Sequence, residues 1–130
     1  MVKEEERIYK GIVFCPGDPE LVAIKRKTHN LDVDYNQTHE DEFEKRAAIL
    51  QEILGEMGEG VRIQGPIAFH YGKHTKIGKN FFGNFNLTIQ DDGEVTIGDN
   101  CNFGPTVTIV TPVHPMVPEE RNALLGPAGK

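Results

Sequence analysis

The amino-acid sequence predicts a mainly β protein in which a helical N-terminal part precedes a parallel β-helix. Three observations support this fold class: an internal repeat with a six-residue period, helix start signals upstream of it, and a change of apolar period near Val61. Short hexapeptide self-similarity is typical of a parallel β-helix, whose coils stack because a single coil cannot bury its own inner face.

The repeat is one unit that occurs twice, over Ile77–Ile89 and over Ile97–Ile109, at an offset of 20 residues. Both copies open with Ile-Gly-x-Asn and close with Thr-Ile. The offset corresponds to three hexapeptides plus two further residues, and Ile97, Phe103 and Ile109 show the six-residue spacing directly. Glycine and asparagine at the corners supply the positive φ that tight turns require.

The N-terminal part predicts two helices before residue 37. The segment Glu4–Tyr9 favours a short helical turn. Asp18, Pro19 and Glu20 form a helix start, because aspartate caps a helix, proline suits the first helical position and glutamate favours the positive end of the dipole. We expect this second helix to run to about Asn36.

A third helix is predicted after Thr38, which acts as its cap, with Asp41 completing a weak capping box. Apolar residues at helical spacing form one stripe that packs on the first coil, and glycines end the helix after it. The members of this stripe are Phe43, Ala47, Leu50, Leu54 and Met57.

From Val61 onward the pattern is that of strands. Residues 61–63 and 67–71 predict two short strands joined by a Gly65-Pro66 turn. Prolines at positions 112, 115 and 118 exclude a regular ladder, so the residues around His114 form a loop. We therefore expect a helical domain over residues 1–58 and the start of a β-helix over residues 59–130, with further coils beyond a truncated end.

The composition argues against several classes of partner. The 130 residues carry a formal net charge of -6 at pH 7, so the chain lacks the basic surface that nucleic acids or anionic membranes require. The run Lys25–Lys27 is interpreted as the solvated face of a helix. No segment approaches the ~20 apolar residues of a membrane span. Cys15 and Cys101 do not indicate a disulfide framework, and we expect a cytoplasmic protein.

Motifs spread over nearly the whole chain occur in the order found in one known family. They are Asp18-Pro19-Glu20-Leu21, Tyr35-Asn36, Asn84-Phe85-Asn86, Asp91-Asp92, Ile97-Gly98-Asp99-Asn100 and His114-Pro115. In this respect the chain resembles the maltose and galactoside O-acetyltransferases, which are hexapeptide-repeat acyltransferases. The resemblance implies a left-handed parallel β-helix with an N-terminal helical cap. It also implies a homotrimer with active sites between subunits, and transfer of an acetyl group from acetyl-CoA to a sugar hydroxyl.

The resemblance also implies roles for particular residues. His114 matches the general base, and Asn84 and Asp92 match positions that hold the acceptor sugar. His70 and Phe82 stand where the galactoside enzymes carry a serine and a tyrosine, which leaves the identity of the acceptor open. The family's acetyl-CoA contacts fall in later coils, so no cofactor-binding residue is assigned, and no metal is expected.

Two other functions remain open from the residues alone. A catalytic zinc needs three protein ligands and an open position, for which His70, His74 and His114 are the candidates in a β-helix of carbonic-anhydrase type. A truncated, non-catalytic module is the other alternative. Asn84 and Asp92 also have a purely structural interpretation, since turns favour both residue types.

Overall fold

The computed structural model describes residues 3–12 and 14–111, and in these the chain forms three helices followed by nine short strands. The helices are α1 (Glu4–Tyr9), α2 (Pro19–Asn36) and α3 (Phe43–Ile53). The strands are β1 (Glu56–Met57), β2 (Arg62–Ile63), β3 (Ile67–Phe69), β4 (Thr75–Ile77), β5 (Phe82–Gly83), β6 (Leu87–Gln90), β7 (Val95–Ile97), β8 (Asn102–Phe103) and β9 (Thr108–Val110). The predicted order, helical first and then strand-rich, is confirmed.

The first two helices have the predicted bounds. Asp18 caps α2, because its Oδ2 accepts the backbone N–H groups of Glu20 at 3.1 Å and Leu21 at 3.4 Å. Pro19 occupies the first helical position, where the missing N–H needs no partner. None of the three described helices is long and apolar enough to cross a membrane.

The start of α3 differs from the prediction. The hydroxyl of Thr38 donates to the carbonyl oxygen of Tyr35 at 2.6 Å and accepts the Nε–H of Arg46 at 2.8 Å. Thr38 therefore closes the end of α2, and α3 begins only at Phe43. The predicted capping box of Thr38 and Asp41 is wrong, because the hydroxyl of Thr38 is bonded to a carbonyl at the end of the preceding helix.

The end of α3 also differs from the prediction. The helix ends at Ile53, and Met57 lies in β1, where it pairs with Ile77. The backbone N–H of Gly55 donates to the carbonyl oxygen of Thr75 at 3.0 Å, so the chain enters the ladder directly after the helix. Strand β1 thus precedes the domain boundary predicted after residue 58 and already belongs to the first coil.

The strands form three parallel three-stranded sheets, in the orders β1-β4-β7, β2-β5-β8 and β3-β6-β9. Every pairing joins residues 20 positions apart: Lys76, for example, lies between Glu56 and Thr96. The offset seen in the repeat is therefore the length of one coil. Each coil contributes one strand to each sheet, which is the stacking predicted for a parallel β-helix.

Asparagines occupy the sharp corners, as predicted. Asn80, Asn86 and Asn100 have φ angles of 57°, 58° and 60°. The amide of Asn80 donates to the side-chain oxygen of Asn100 in the next coil at 3.2 Å. Thr106 takes the position of Asn86 one coil later, with φ of 59°, although β-branched residues rarely adopt this conformation.

The apolar side chains form two clusters. The larger cluster fills the coils and includes the inner faces of α2 and α3, whereas the smaller one joins α1 and α2 to the loop after β3. The smaller cluster consists of Ile8, Phe14, Leu21 and Tyr71, and Ile24 packs against it. Its members anchor the N-terminal helices to one corner of the coil.

One face of α2 takes the place of a neighbouring strand beside β3. The side-chain amide of Asn36 accepts the N–H of Ile67 at 2.7 Å and donates to its carbonyl oxygen at 3.0 Å. Oδ2 of Asp32 accepts the N–H of Phe69 at 3.0 Å, and the hydroxyl of Thr28 donates to a carbonyl in the loop after β3 at 2.7 Å. These three side chains, the polar row, satisfy backbone groups that an edge strand leaves unpaired.

We predict that Asn36→Ala lowers the free energy of unfolding by about 1–3 kcal/mol, because it removes both partners of the Ile67 backbone. Asn30→Ala is the matched control, since Asn30 is an exposed asparagine on the same helix. Urea denaturation measures both variants. Equal losses for the two substitutions would show that the polar row does not stabilise the edge of β3.

Candidate functional site

The candidate site lies at the corner that follows the third strand of each coil. Core positions are six residues apart within a coil, but eight apart from Phe69 to Ile77 and from Ile89 to Ile97. The two extra residues of each coil therefore lie in the loops 70–74 and 91–94. Because β3 and β6 pair, these loops lie one above the other and bring chemically reactive side chains together. These side chains are His70, Tyr71, Lys73, His74, Asp91, Asp92 and Glu94.

Asp91 is the central side chain of this corner. It is fully buried, its Oδ1 accepts the backbone N–H of Tyr71 at 2.7 Å, and its Oδ2 accepts the hydroxyl of Thr75 at 2.7 Å. Burial raises the pKa of Asp91, although these hydrogen bonds act in the opposite direction. Since Tyr71 lies in the equivalent loop of the preceding coil and Thr75 begins β4, Asp91 fastens two successive coils together.

His74 links the same corner to α1. Its Nδ1 lies 2.9 Å from the carbonyl oxygen of Asp91, which can only accept, so Nδ1 is the donor. Its Nε2 lies 3.1 Å from Oε2 of Glu5, which also pairs with Lys73 Nζ at 3.1 Å. The imidazole is buried and both of its nitrogens are engaged.

These contacts bear on the zinc alternative. His74 has no free nitrogen to offer a metal, and His70 is paired with another histidine, as described below. Among residues 3–12 and 14–111, no group of three His, Cys, Asp or Glu side chains is placed to hold a metal ion. In the described part of the chain, His70 and His74 therefore do not belong to a metal-binding group, and the third candidate, His114, lies outside the described residues.

His70 forms a pair with His29, which is on α2. Nδ1 of His70 lies 3.1 Å from Nε2 of His29, and the two rings stack with centroids 5.1 Å apart. Burial lowers the pKa of His70 to about 4, and the positive charges of Lys25 and His29 add to this effect. The imidazole of His70 is therefore neutral at pH 7, so its Nδ1 can either donate to or accept from Nε2 of His29, depending on the tautomer.

Asp92 and Tyr71 lie at the buried side of the corner. Asp92 is 5% exposed and Tyr71 is 1% exposed. Burial raises the pKa of Tyr71, with further contributions from the carboxylates of Asp92 and Asp91. The hydroxyl of Thr111 accepts the N–H of Gly93 at 2.9 Å and so holds this turn against the third coil. His114 lies outside the described residues.

The other two predicted acceptor residues lie at a different corner of the same chain. Phe82 is half-buried in β5 and lines a groove of about 280 Å³ that also includes Phe43 and Arg62. Asn84 follows β5, and its Oδ1 accepts the N–H of Phe85 at 2.8 Å. The structure thus divides the predicted residues into two groups: Phe82 and Asn84 lie in and directly after the second strand of the coil, and His70 and Asp92 follow the third strand.

Asp32 is a buried carboxyl beside the corner that sequence reasoning missed, as it missed His29. Asp32 is 7% exposed, and its Oδ1 has no hydrogen-bond partner among the described residues. Burial raises the pKa of Asp32 to about 8, against the lowering effect of the Phe69 N–H. The sequence signal that points to Asp32 is the four-residue spacing of the polar row, because this spacing places the three side chains on one helix face.

The sequence of this chain is similar to those of known proteins. Residues 7–58 match the family model described as the maltose acetyltransferase hexapeptide capping motif. The galactoside O-acetyltransferase of Escherichia coli strain K12 is 42% identical over 119 residues, which cover 89% of this chain and 57% of that protein. The chain therefore spans little more than half the length of this curated relative.

Two solved structures show the same fold. A maltose O-acetyltransferase from Clostridium difficile 630 superposes with a TM-score of 0.92 at 32% identity, over 99% of this chain and 68% of that one. A galactoside acetyltransferase in complex with coenzyme A superposes with a TM-score of 0.88 at 35% identity, over 98% of this chain and 64% of that one.

We predict that Asp91→Ala lowers the free energy of unfolding by about 1–3 kcal/mol for each buried donor that it leaves without a partner. Asp99→Ala is the control, because Asp99 accepts the N–H of Lys79 at 2.7 Å at an exposed corner, where water can replace it. Thermal and urea denaturation compare the two variants. A larger loss for Asp99→Ala would contradict the role given to Asp91.

Asp32 makes stability depend on pH in a defined direction. Because its folded-state pKa of about 8 exceeds the unfolded value of 3.8, its contribution is full below pH 3.8 and is lost as the pH rises to about 8. We predict that Asp32→Asn removes this loss, which amounts to at most about 1.4 kcal/mol per pH unit. The melting temperature of the variant relative to the unmodified protein should rise from about pH 5 to about pH 9, and a constant difference would refute the assignment.

Proposed function

Because this chain belongs to the maltose and galactoside O-acetyltransferase family of hexapeptide-repeat proteins, we propose that it serves acetyl-CoA-dependent transfer of an acetyl group to a sugar hydroxyl. The observation that carries this proposal is the close superposition of the described chain on a solved maltose O-acetyltransferase. Acetyl-CoA is the co-substrate, by analogy with the relative whose structure contains coenzyme A.

His114 is the proposed general base. A sugar hydroxyl is a weak nucleophile, and a histidine with an unperturbed pKa of about 6.5 is suited to take its proton near neutral pH. Such help accelerates a reaction by about 10²–10⁴-fold. His114 is three residues beyond Thr111 in the sequence, and the hydroxyl of Thr111 holds the turn after Asp92.

The acceptor side is proposed to include His70, Asp92, Phe82 and Asn84. The first two follow the third strand of the coil, whereas Phe82 lies in the second strand and Asn84 directly after it. A site shared between neighbouring copies in a homotrimer would bring the two groups together. This is the arrangement that the family resemblance implies, with acceptor and thioester held between subunits for reaction.

The architecture proposed for the whole assembly has two further features. The coil is left-handed, and the helices that precede β1 form a cap at its N-terminal side, with α2 satisfying the edge of β3 through the polar row. The protein is proposed to act in the cytoplasm, where the free thiols of Cys15 and Cys101 suit a reducing environment.

The test is transfer of acetyl groups from acetyl-CoA to a panel of mono- and disaccharides. It is run on this chain and on a chimera that continues it with the C-terminal segment of the Escherichia coli relative. In whichever form is active, we predict that His114→Ala lowers kcat by about 10²–10⁴-fold without unfolding the protein.

His39→Ala is the control for the histidine substitution, because His39 is exposed between α2 and α3. It should retain full activity. Retention of most of the activity by His114→Ala would remove His114 from the role of base. Absence of transfer by both forms to every sugar would overturn the proposed function.

A further inference from the structure

Basic side chains gather on the α2 side of His70. A groove of about 280 Å³ is lined by Val22, Lys25, Arg26, His29 and His70. No acidic side chain lines this groove, although the whole chain carries a formal net charge of -6. A local excess of positive charge in an acidic protein raises the local concentration of anions.

The donors of this groove are partly committed, since Nζ of Lys25 also lies 5.5 Å from the centroid of the Tyr71 ring. Arg26 is exposed and has no hydrogen bond or ion pair to another described residue. Nζ of Lys25 donates to the carbonyl oxygen of Pro16 at 3.0 Å, and an ammonium group has two further protons to offer. A guanidinium fork beside an ammonium group suits a phosphate or a carboxylate.

The structure also divides the basic run Lys25–Lys27, which the sequence predicts to be a solvated face. Lys25 and Arg26 line the groove beside His70, whereas Lys27 lines a separate groove with Leu31. Two cations of the run therefore line the groove beside His70, whereas the third lines a different groove that includes Tyr71 and Lys73 but neither His29 nor His70.

A second groove adjoins the first at the His29–His70 pair. Its volume is about 230 Å³, and its polar lining beyond the histidines consists of Thr88 and Gln90 on β6 and of Asp32. Thr88 and Gln90 are uncharged, and burial raises the pKa of Asp32 to about 8, so this wall is mostly neutral at pH 7. Neutral donors and acceptors suit the hydroxyl groups of one small ring.

We propose that the two grooves together hold an acceptor sugar that carries an anionic group, with its ring beside Thr88 and Gln90 and its anion beside Arg26 and Lys25. His29 joins the two grooves and holds His70 in place through the 3.1 Å contact between their rings. This ligand deepens the O-acetyltransfer proposed above and rests on it, because His70 is on the acceptor side of that proposal.

The test is calorimetric binding of glucose 6-phosphate, glucuronate, glucose and inorganic phosphate to the 130-residue protein at low ionic strength, without acetyl-CoA. We expect at least one of the two anionic sugars to bind about tenfold or more tightly than both glucose and inorganic phosphate. The preferred anion distinguishes a phosphate from a carboxylate. Imidazole NMR signals of His29 and His70 should shift on binding of that sugar.

Arg26→Gln should reduce the affinity for the anionic sugar to that for glucose. Lys27→Gln is the matched control, since it removes the same charge from the neighbouring position. Lys27 lines neither groove of the proposed site but the separate groove that includes Leu31, so this substitution should change the affinity less than about twofold. His29→Gln should weaken binding of both glucose and the anionic sugar, because His29 borders both grooves.

Three results would overturn the inference. They are equal binding of glucose and the anionic sugars, binding of inorganic phosphate as tight as that of glucose 6-phosphate, and equal effects of Arg26→Gln and Lys27→Gln. Because binding is measured without acetyl-CoA, a protein that binds the anionic sugar but transfers no acetyl group would contradict the proposed function alone.

Discussion

The unpaired backbone edge of β3 is the constraint on which the rest of this structure depends. The strands of the first coil in a parallel β-helix have no preceding coil to pair with, so their outer peptide groups are unpaired. Buried peptide groups without partners destabilise a fold. Helix α2 meets this demand with side chains: Asn36 bonds both backbone groups of Ile67, and Asp32 accepts from Phe69. The same register of α2 on β3 places His29 against His70. The hydrogen bonds that satisfy the edge of β3 thereby also position His29 and His70, which line both grooves of the proposed acceptor site.

The length of the coil explains where the chemistry is found. Three hexapeptides would close a triangular coil, and the two additional residues of each coil are accommodated at one corner. That corner has room for a buried carboxylate, Asp91, which bonds Tyr71 in the loop of the preceding coil and Thr75 in β4. Strand positions are committed to the ladder and the core, so functional side chains concentrate where the repeat is interrupted. His70 and Asp92 are sequence neighbours of the two residues that the bond to Tyr71 joins.

Much of the fold could be predicted because its signals are local. The cap formed by Asp18 and the corner asparagines both depend on residues within one turn of each other. The 20-residue offset was also readable, since a coil of constant length repeats its pattern in the sequence. The predictions that failed concern groups that have two possible hydrogen-bond partners nearby. Threonine is a residue type that caps helices, but the hydroxyl of Thr38 closes α2 instead, because the carbonyl of Tyr35 lies within reach.

The sequence by itself determined the repeat, the coil length, the order of helices and strands, and the corner residues, and the family resemblance named His70, Phe82, Asn84 and Asp92 as acceptor residues. Only the tertiary structure decided which of these residues meet, and it separated Phe82 and Asn84 from His70 and Asp92. It also brought His29 to His70 across 41 residues and Asp32 to Phe69 across 37 residues. The physical reason is that a periodic pattern specifies which face of an element is buried, whereas the register of one element on another is set by hydrogen bonds and packing between distant segments.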